Sequence, residues 1–181
     1  MKDSILNLVF QRIAEGYEEQ VPYYEKMLKL AQGQSTLLAK GKVKEGVEAE
    51  GAEVEGVEVE QLIALINQRQ ELISTLENMN KGISSLKKEI KETLEIDEFN
   101  LRLIKEKISG PGVEALSNVL DKLAQLLTQI KELDGKNEEA LRRAIQQTQE
   151  NLKSLQAVKK VNKAYQAEPS ADGGVFIDYS K

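Results

Sequence analysis

Apolar positions recur at steps of three and four over most of this chain, the spacing of one face of an α-helix. Ile5, Leu6, Val9, Phe10, Ile13 and Tyr17 form the first such stripe, with Asp3 and Ser4 placed to cap it. Pro22 interrupts, either kinking one helix or starting a second after a bend at Gln20 and Val21. Tyr24, Leu28, Ala31 and Leu38 carry the stripe on, so residues 1–40 form a first helical region with a Pro22 kink. A second helix is expected over 60–108. Its seam reads Leu62, Ile66, Leu72, Leu76, Met79, Ile83, Leu86 and Ile90, then Leu94, Leu101, Ile104 and Ile108. Arg69 and Asp97 fall on that seam, and the packing should loosen at Asp97. Gly82 weakens this helix without ending it. Ser109-Gly110-Pro111-Gly112 is a firm stop, giving a turn at 109–112.

A third helix over 113–165 carries Leu116, Leu120, Leu123, Leu127, Ile130, Leu141, Ile145, Leu152, Leu155 and Val158. Gly135, between Asp134 and Asn137, predicts a bend or weak point near its middle. A helix of about 50 residues spans roughly 75 Å. The second and third helices therefore make a long hairpin, with the first region packed along it. The fold class is all-α: a single-domain, elongated, coiled-coil-like antiparallel bundle of three helices.

Two segments break the pattern. Residues 41–59 hold three tandem pentapeptides, which start at Gly46, Gly51 and Gly56, with Gly41 extending the spacing. Glycine every fifth residue costs a helix roughly 1 kcal/mol each relative to alanine. The segment reads as a flexible acidic linker. Its Val/Glu alternation also allows a short hairpin or an edge strand. Residues 166–181 form a non-helical C-terminal tail: Pro169, Asp172, Gly173 and Gly174 break any helix, and Val175, Phe176 and Ile177 follow as an apolar cluster.

Composition narrows the chemistry. Histidine and cysteine are absent and aromatics make up 4% of the 181 residues. That removes thiolate nucleophiles, disulfides, nearly all transition-metal sites and the commonest general base. Carboxylate neighbours such as Glu138 and Glu139, or Asp97 and Glu98, point about 100° apart on a helix and form no acid/base dyad by themselves. No phosphate-binding glycine loop occurs. Neither catalytic residues, nor a cofactor, nor a metal are expected, and the chain does not read as an enzyme. The net charge of −5 is concentrated: residues 41–59 set Lys42 and Lys44 against six glutamates, and the tail adds about −2. The helical stretches are nearly balanced, with no strong basic face, which argues against a nucleic-acid partner. No apolar run long enough to span a membrane and no signal-peptide layout appear, so the expected location is cytoplasmic.

What remains is recognition of another protein. The first helical region is too short to cover the other two, so part of the third helix's stripe should lack an internal partner. The candidates are Leu141, Ile145, Leu152, Leu155 and Val158. Exposed apolar stripes of this kind accept an amphipathic helix or a second copy of the chain.

Several segments resemble the FlgN-type flagellar export chaperones in order and spacing. They are Tyr24-Glu25-Lys26-Met27-Leu28-Lys29-Leu30, Leu37-Leu38-Ala39-Lys40-Gly41, and Leu65-Ile66-Asn67-Gln68-Arg69-Gln70-Glu71-Leu72-Ile73. Residues 133–141, from Leu133-Asp134-Gly135 to Ala140-Leu141, resemble that family's last helix, as do Asn162-Lys163-Ala164-Tyr165 and Phe176-Ile177-Asp178 near the end. The pentapeptides depart from the family, which passes more directly between its first two helices.

The resemblance implies a cytoplasmic binding protein without ATPase activity. It would hold C-terminal helical segments of hook–filament junction proteins for the export gate, or of the filament-cap protein if the chain is closer to the FliT-type relatives. It places the cargo surface on the last helix, at Leu141, Ile145, Leu152, Leu155 and Tyr165. It also implies a monomer or weak homodimer. The FliT-type relatives can mask their own binding surface with a C-terminal helix; here the apolar cluster Val175, Phe176 and Ile177, beyond a helix breaker, is expected to compete for the same groove. The competing reading is a structural coiled-coil scaffold or self-assembling helical protein, whose seams would be buried in a large homo-oligomer.

Overall fold

A computed structural model describes residues 2–40 and 59–166, with side chains from Asp3 through Asn162. The described residues are helical, with no strand among them: α1 (Lys2–Glu18), α2 (Val21–Lys40), α3 (Val59–Leu94), α4 (Leu101–Lys107) and α5 (Pro111–Gln166). The acidic linker and the C-terminal tail lie outside the described residues, apart from Val59 and Gln166 at helix ends. The chain divides into two compact units, Met1–Leu141 and Arg142–Lys181.

In the first unit, Pro22 starts a helix and does not kink one. The Gln20 amide donates to the Tyr17 carbonyl and the Tyr23 amide to the Gln20 carbonyl, which closes α1 and opens α2. Proline is tolerated in the first turn, where no intrahelical donor is needed. Asp3 and Ser4 sit inside α1, not ahead of it, and Asp3 favours the positive end of the helix dipole.

Polar contacts fix how the helices run. On α3, Asn80 accepts a hydrogen bond from the Gln20 side chain at 3.0 Å, while Arg69 reaches Gln34 further along α2 at 2.9 Å. Thus α3 is antiparallel to α1 and α2. Within the unit, α5 runs the other way. Its start meets α1, where the Gly112 amide donates to Asn7 Oδ1 at 3.1 Å. Further on, Asn137 Nδ2 donates to the Ala31 carbonyl of α2 at 2.9 Å.

Two apolar clusters fill the space between. One gathers Phe10, Ile13 and Tyr17 with Ile83, Ile90, Ile104, Leu116 and Leu123. The other gathers Met27, Leu30, Leu72, Leu76 and Ile130. The α3 seam is a heptad, buried at Leu62, Leu72, Leu76, Ile83 and Ile90. Leu65, not Ile66, takes the seam position after Leu62, since it packs on the second cluster while Ile66 is exposed. Gly16 lets α1 approach closely, because a Cβ there would lie 3.1 Å from Ile83.

The helix expected over 60–108 is two helices. It ends at Leu94, where Glu95 takes a left-handed conformation (φ 51°) and the Ile96 amide bonds back to the Lys91 carbonyl at 3.1 Å. This is a Schellman closure. Ile96 and Ile90 are both buried in the first cluster, the apolar contact that accompanies such closures. Lys107 then donates to the freed Leu94 carbonyl at 2.7 Å, and Asn100 Oδ1 caps α4 through the Arg102 amide at 2.9 Å. Asp97 is exposed between helices and occupies no seam. The stop at 109–112 is shorter than expected. Gly110 (φ 149°) accepts the Glu114 amide, and Pro111 already begins α5. Gly112 is obligatory, because a Cβ there would collide with the Asn7 carbonyl. Helix α5 passes through Gly135 without a break.

Candidate protein-binding face on the last helix

Helix α5 changes character at the unit boundary. In the first unit its inward side chains are buried: Val113, Leu116, Val119, Leu123, Ile130 and Asn137. Leu141, the last residue of that unit, is half-buried. In the second unit the apolar side chains are open to solvent: Ile145 is 50% exposed, Leu152 53%, Leu155 58%, Val158 55% and Val161 53%. Soluble helices normally bury such a set, so its exposure makes this face the candidate for contact with another surface.

These residues form one band that turns. Ile145, Leu152 and Leu155 keep to one line of the helix, seven and then three residues apart. From Leu155 the steps are three and three, to Val158 and Val161, so the band swings around the helix. Val161 escaped the sequence reading because it falls off the line, although its residue type was a signal. Leu141 is not part of the second unit's face. Tyr165 lies on the helix, with its side chain outside the described set, and Val175, Phe176 and Ile177 are outside the described residues altogether. The helix's internal contacts are local: Gln146 donates to Glu150 at 3.0 Å, Thr148 to the Ala144 carbonyl and Ser154 to the Asn151 carbonyl, each at 2.8 Å.

The first unit has two other features of note. Val59, Ile63, Ile66 and Ile73 are exposed on a common face of α3. A cleft of about 490 Å³ opens between the α1–α2 junction, α3 and α5, lined by Tyr17, Tyr24, Asn80, Lys87 and Leu127 among others. The Lys87 ammonium lies 5.0 Å from the Tyr17 ring centre and 5.3 Å from that of Phe99, within cation–π range. Burial raises the Tyr24 phenol above its ordinary pKa, and Tyr17 adds to the effect. No group of three potential metal-ligating residues is found among the described residues. The exposed apolar side chains of α5 are placed to meet another surface.

A family model described as FlgN protein matches residues 47–172. The chain belongs to the FlgN family. The match takes in α3, α4, α5 and the candidate face, and leaves α1 and α2 outside it. Of the segments that resemble the family, residues 65–73, 133–141 and 162–165 fall within the match, and those before residue 47 or after residue 172 fall outside. No curated protein and no solved structure matches the chain. Membership in the FlgN family makes this a chaperone-family protein of flagellar export. No described helix is long and apolar enough to cross a membrane.

Proposed function

We propose that this chain is a cytoplasmic export chaperone that holds the amphipathic C-terminal helix of a hook–filament junction protein on the last helix and so prevents premature assembly. The observation that carries the reading is the exposed apolar band Ile145, Leu152, Leu155, Val158 and Val161 within the family match. Each side chain is about half exposed, so burying it under a partner gains on the order of 1 kcal/mol. Five together offset part of the cost of ordering an unassembled helix. The resulting affinity is moderate, as cargo that must be handed on at the export gate requires. Tyr165 extends the same helix by one further turn, and Leu141 borders the band.

The test is binding of purified hook–filament junction proteins to the full chain, alongside the Leu152→Asp, Leu155→Asp double variant. Binding that the double variant loses supports the reading. Binding by the filament-cap protein alone would move the assignment to FliT-type cargo. A large, stable homo-oligomer that takes up none of these proteins would replace the chaperone by the scaffold reading. The tail cluster Val175, Phe176 and Ile177 competes for the band in this proposal, so removing residues 171–181 should raise cargo affinity. Unchanged affinity would remove the tail from the account.

A further inference from the structure

The walls of the cleft of about 490 Å³ in the first unit differ in chemistry. On α3, Asn80, Ser84 and Lys87 follow at steps of four and three, so they share one face and form a polar wall about 10 Å long. On α5, Leu120, Ala124 and Leu127 repeat those steps and form an apolar wall. Tyr17 and Tyr24 close a third side. Lys87 is the one charged residue of the lining, which includes no carboxylate.

Lys87 stands apart from the cations around it. Its neighbour Lys88 pairs with Glu92, and Lys122 on α5 pairs with Glu18. Lys87 is half-buried and has no such partner among the described carboxylates. Its ammonium lies instead over the Tyr17 and Phe99 rings, 5.0 and 5.3 Å from their centres. The rings hold the side chain in place, so little of its freedom remains to be lost when an anion arrives. Partial withdrawal from water also strengthens the attraction to that anion. Beside it, Asn80 uses Oδ1 to accept the Gln20 amide at 3.0 Å. Gln20 is fully buried and does not line the cleft, so the Asn80 Nδ2 is the end left to face it. Ser84 adds a hydroxyl that can donate.

We propose that the cleft takes an acidic side chain of a partner polypeptide, with its carboxylate on Lys87 and the large apolar residue beside it against Leu120 and Leu127. The volume falls within the roughly 300–1,000 Å³ of ligand sites, but such sites enclose most of a small molecule. Here Asn80, Ser84, Ala124 and Leu127 are exposed, so one side of any occupant stays in water. That suits a side chain delivered by another chain's backbone. One cation matches one carboxylate, whereas a nucleic-acid strand needs a basic track that this lining does not provide. The inference is independent of the band on the last helix. It adds a second contact surface, which selects by charge where the band selects by apolar contact.

The experiment uses the full chain and twelve-residue leucine-rich peptides, acetylated and amidated at their ends. The peptides are identical but for one central glutamate, which is glutamine in the control. Fluorescence anisotropy should show the glutamate peptide bound at least tenfold tighter than the glutamine peptide. Lys87→Met keeps an aliphatic stem on the rings and should erase that difference. Ala124→Trp, at an exposed position, fills the cleft from its apolar wall and should erase it too, with the circular dichroism spectrum unchanged. The Leu152→Asp, Leu155→Asp variant should keep the difference. Equal binding of the two peptides, or binding of neither, overturns the inference and leaves the chaperone reading standing. A difference that survives in either cleft variant places the carboxylate elsewhere and overturns it as well. So does a difference lost in the Leu152→Asp, Leu155→Asp variant, which assigns the selectivity to the band.

Discussion

Arg69 and Asp134 meet through two parallel hydrogen bonds, at 2.6 and 2.7 Å, on a seam of α3 whose other positions are leucine, isoleucine and methionine. The guanidinium also donates to Gln34 Oε1 on α2, so one side chain ties three helices. Arg69 is 16% exposed and Asp134 39%, an ion pair only partly withdrawn from water.

Removing one partner should therefore cost more than removing both. Asp134→Ala leaves a mostly buried guanidinium without its carboxylate and should cost about 1–2 kcal/mol, less than a fully buried pair because Asp134 is screened. The Arg69→Leu, Asp134→Ala double variant should recover at least half of that loss relative to Asp134→Ala, since leucine suits the seam position that Arg69 leaves. Urea unfolding of the two singles and the double measures this. Strictly additive losses would show that the pair contributes nothing beyond its parts.

At Glu95 the chain adopts a left-handed conformation that a side chain disfavours. Glu95→Gly should stabilise the protein by about 0.5–1 kcal/mol, offset in part by the unfolded chain's greater freedom. A rise in the urea midpoint with an unchanged slope is the expected result. A drop would mean that the Glu95 side chain holds the closure in a way its geometry does not reveal.

The exposed band and the core should respond oppositely to substitution. Leu152→Asp should leave stability within about 0.5 kcal/mol of the parent while weakening cargo binding at least tenfold. Leu116→Ala, at a fully buried position, should cost about 2–5 kcal/mol. If Leu152→Asp lowers the thermal midpoint as much as Leu116→Ala does, the band is part of the fold and not a docking face.

Alkaline pH should unfold the protein partly through Tyr24. Its folded-state pKa is raised above the ordinary 10.0, chiefly by burial. The neutral phenol is thus favoured in the fold. That contribution is fully present below pH 10 and is lost as the pH climbs through the raised value. Tyr24→Phe should flatten the fall in stability above pH 10, measured by urea unfolding at each pH. An identical slope in the variant would assign the loss to other groups.

Much of this was legible in the residue pattern, and the exceptions have local causes. The stripe Leu6, Phe10, Ile13 and Tyr17 is buried as its spacing requires. The end of α3 escaped notice because its left-handed residue is Glu95, where a glycine would have announced the stop. The choice of Leu65 over Ile66 for the seam was beyond periodicity, since both are apolar neighbours and only packing against α2 decides. In the candidate face, Ile145, Leu152, Leu155 and Val158 follow from spacing plus the shortness of the first helices. The division at Leu141 does not, because Leu141 shares the spacing of the exposed residues that follow it, and only packing leaves it half-buried.

The bond between Asn7 and Gly112 joins residues 105 apart in the chain. During synthesis at about 5–20 residues per second, α1 waits some 5–20 seconds for the strict glycine that will lie against it. In that interval Phe10 and Ile13 can already settle on Ile83 and Ile90, which emerge earlier. The start of α5 is thus the late-arriving part of the first unit, and it docks onto a template that α1 and α3 have prepared. A ribosome-bound chain halted before Val113 should hold that template open, with the surface that will receive Leu116 still bare to the chaperones of the nascent chain.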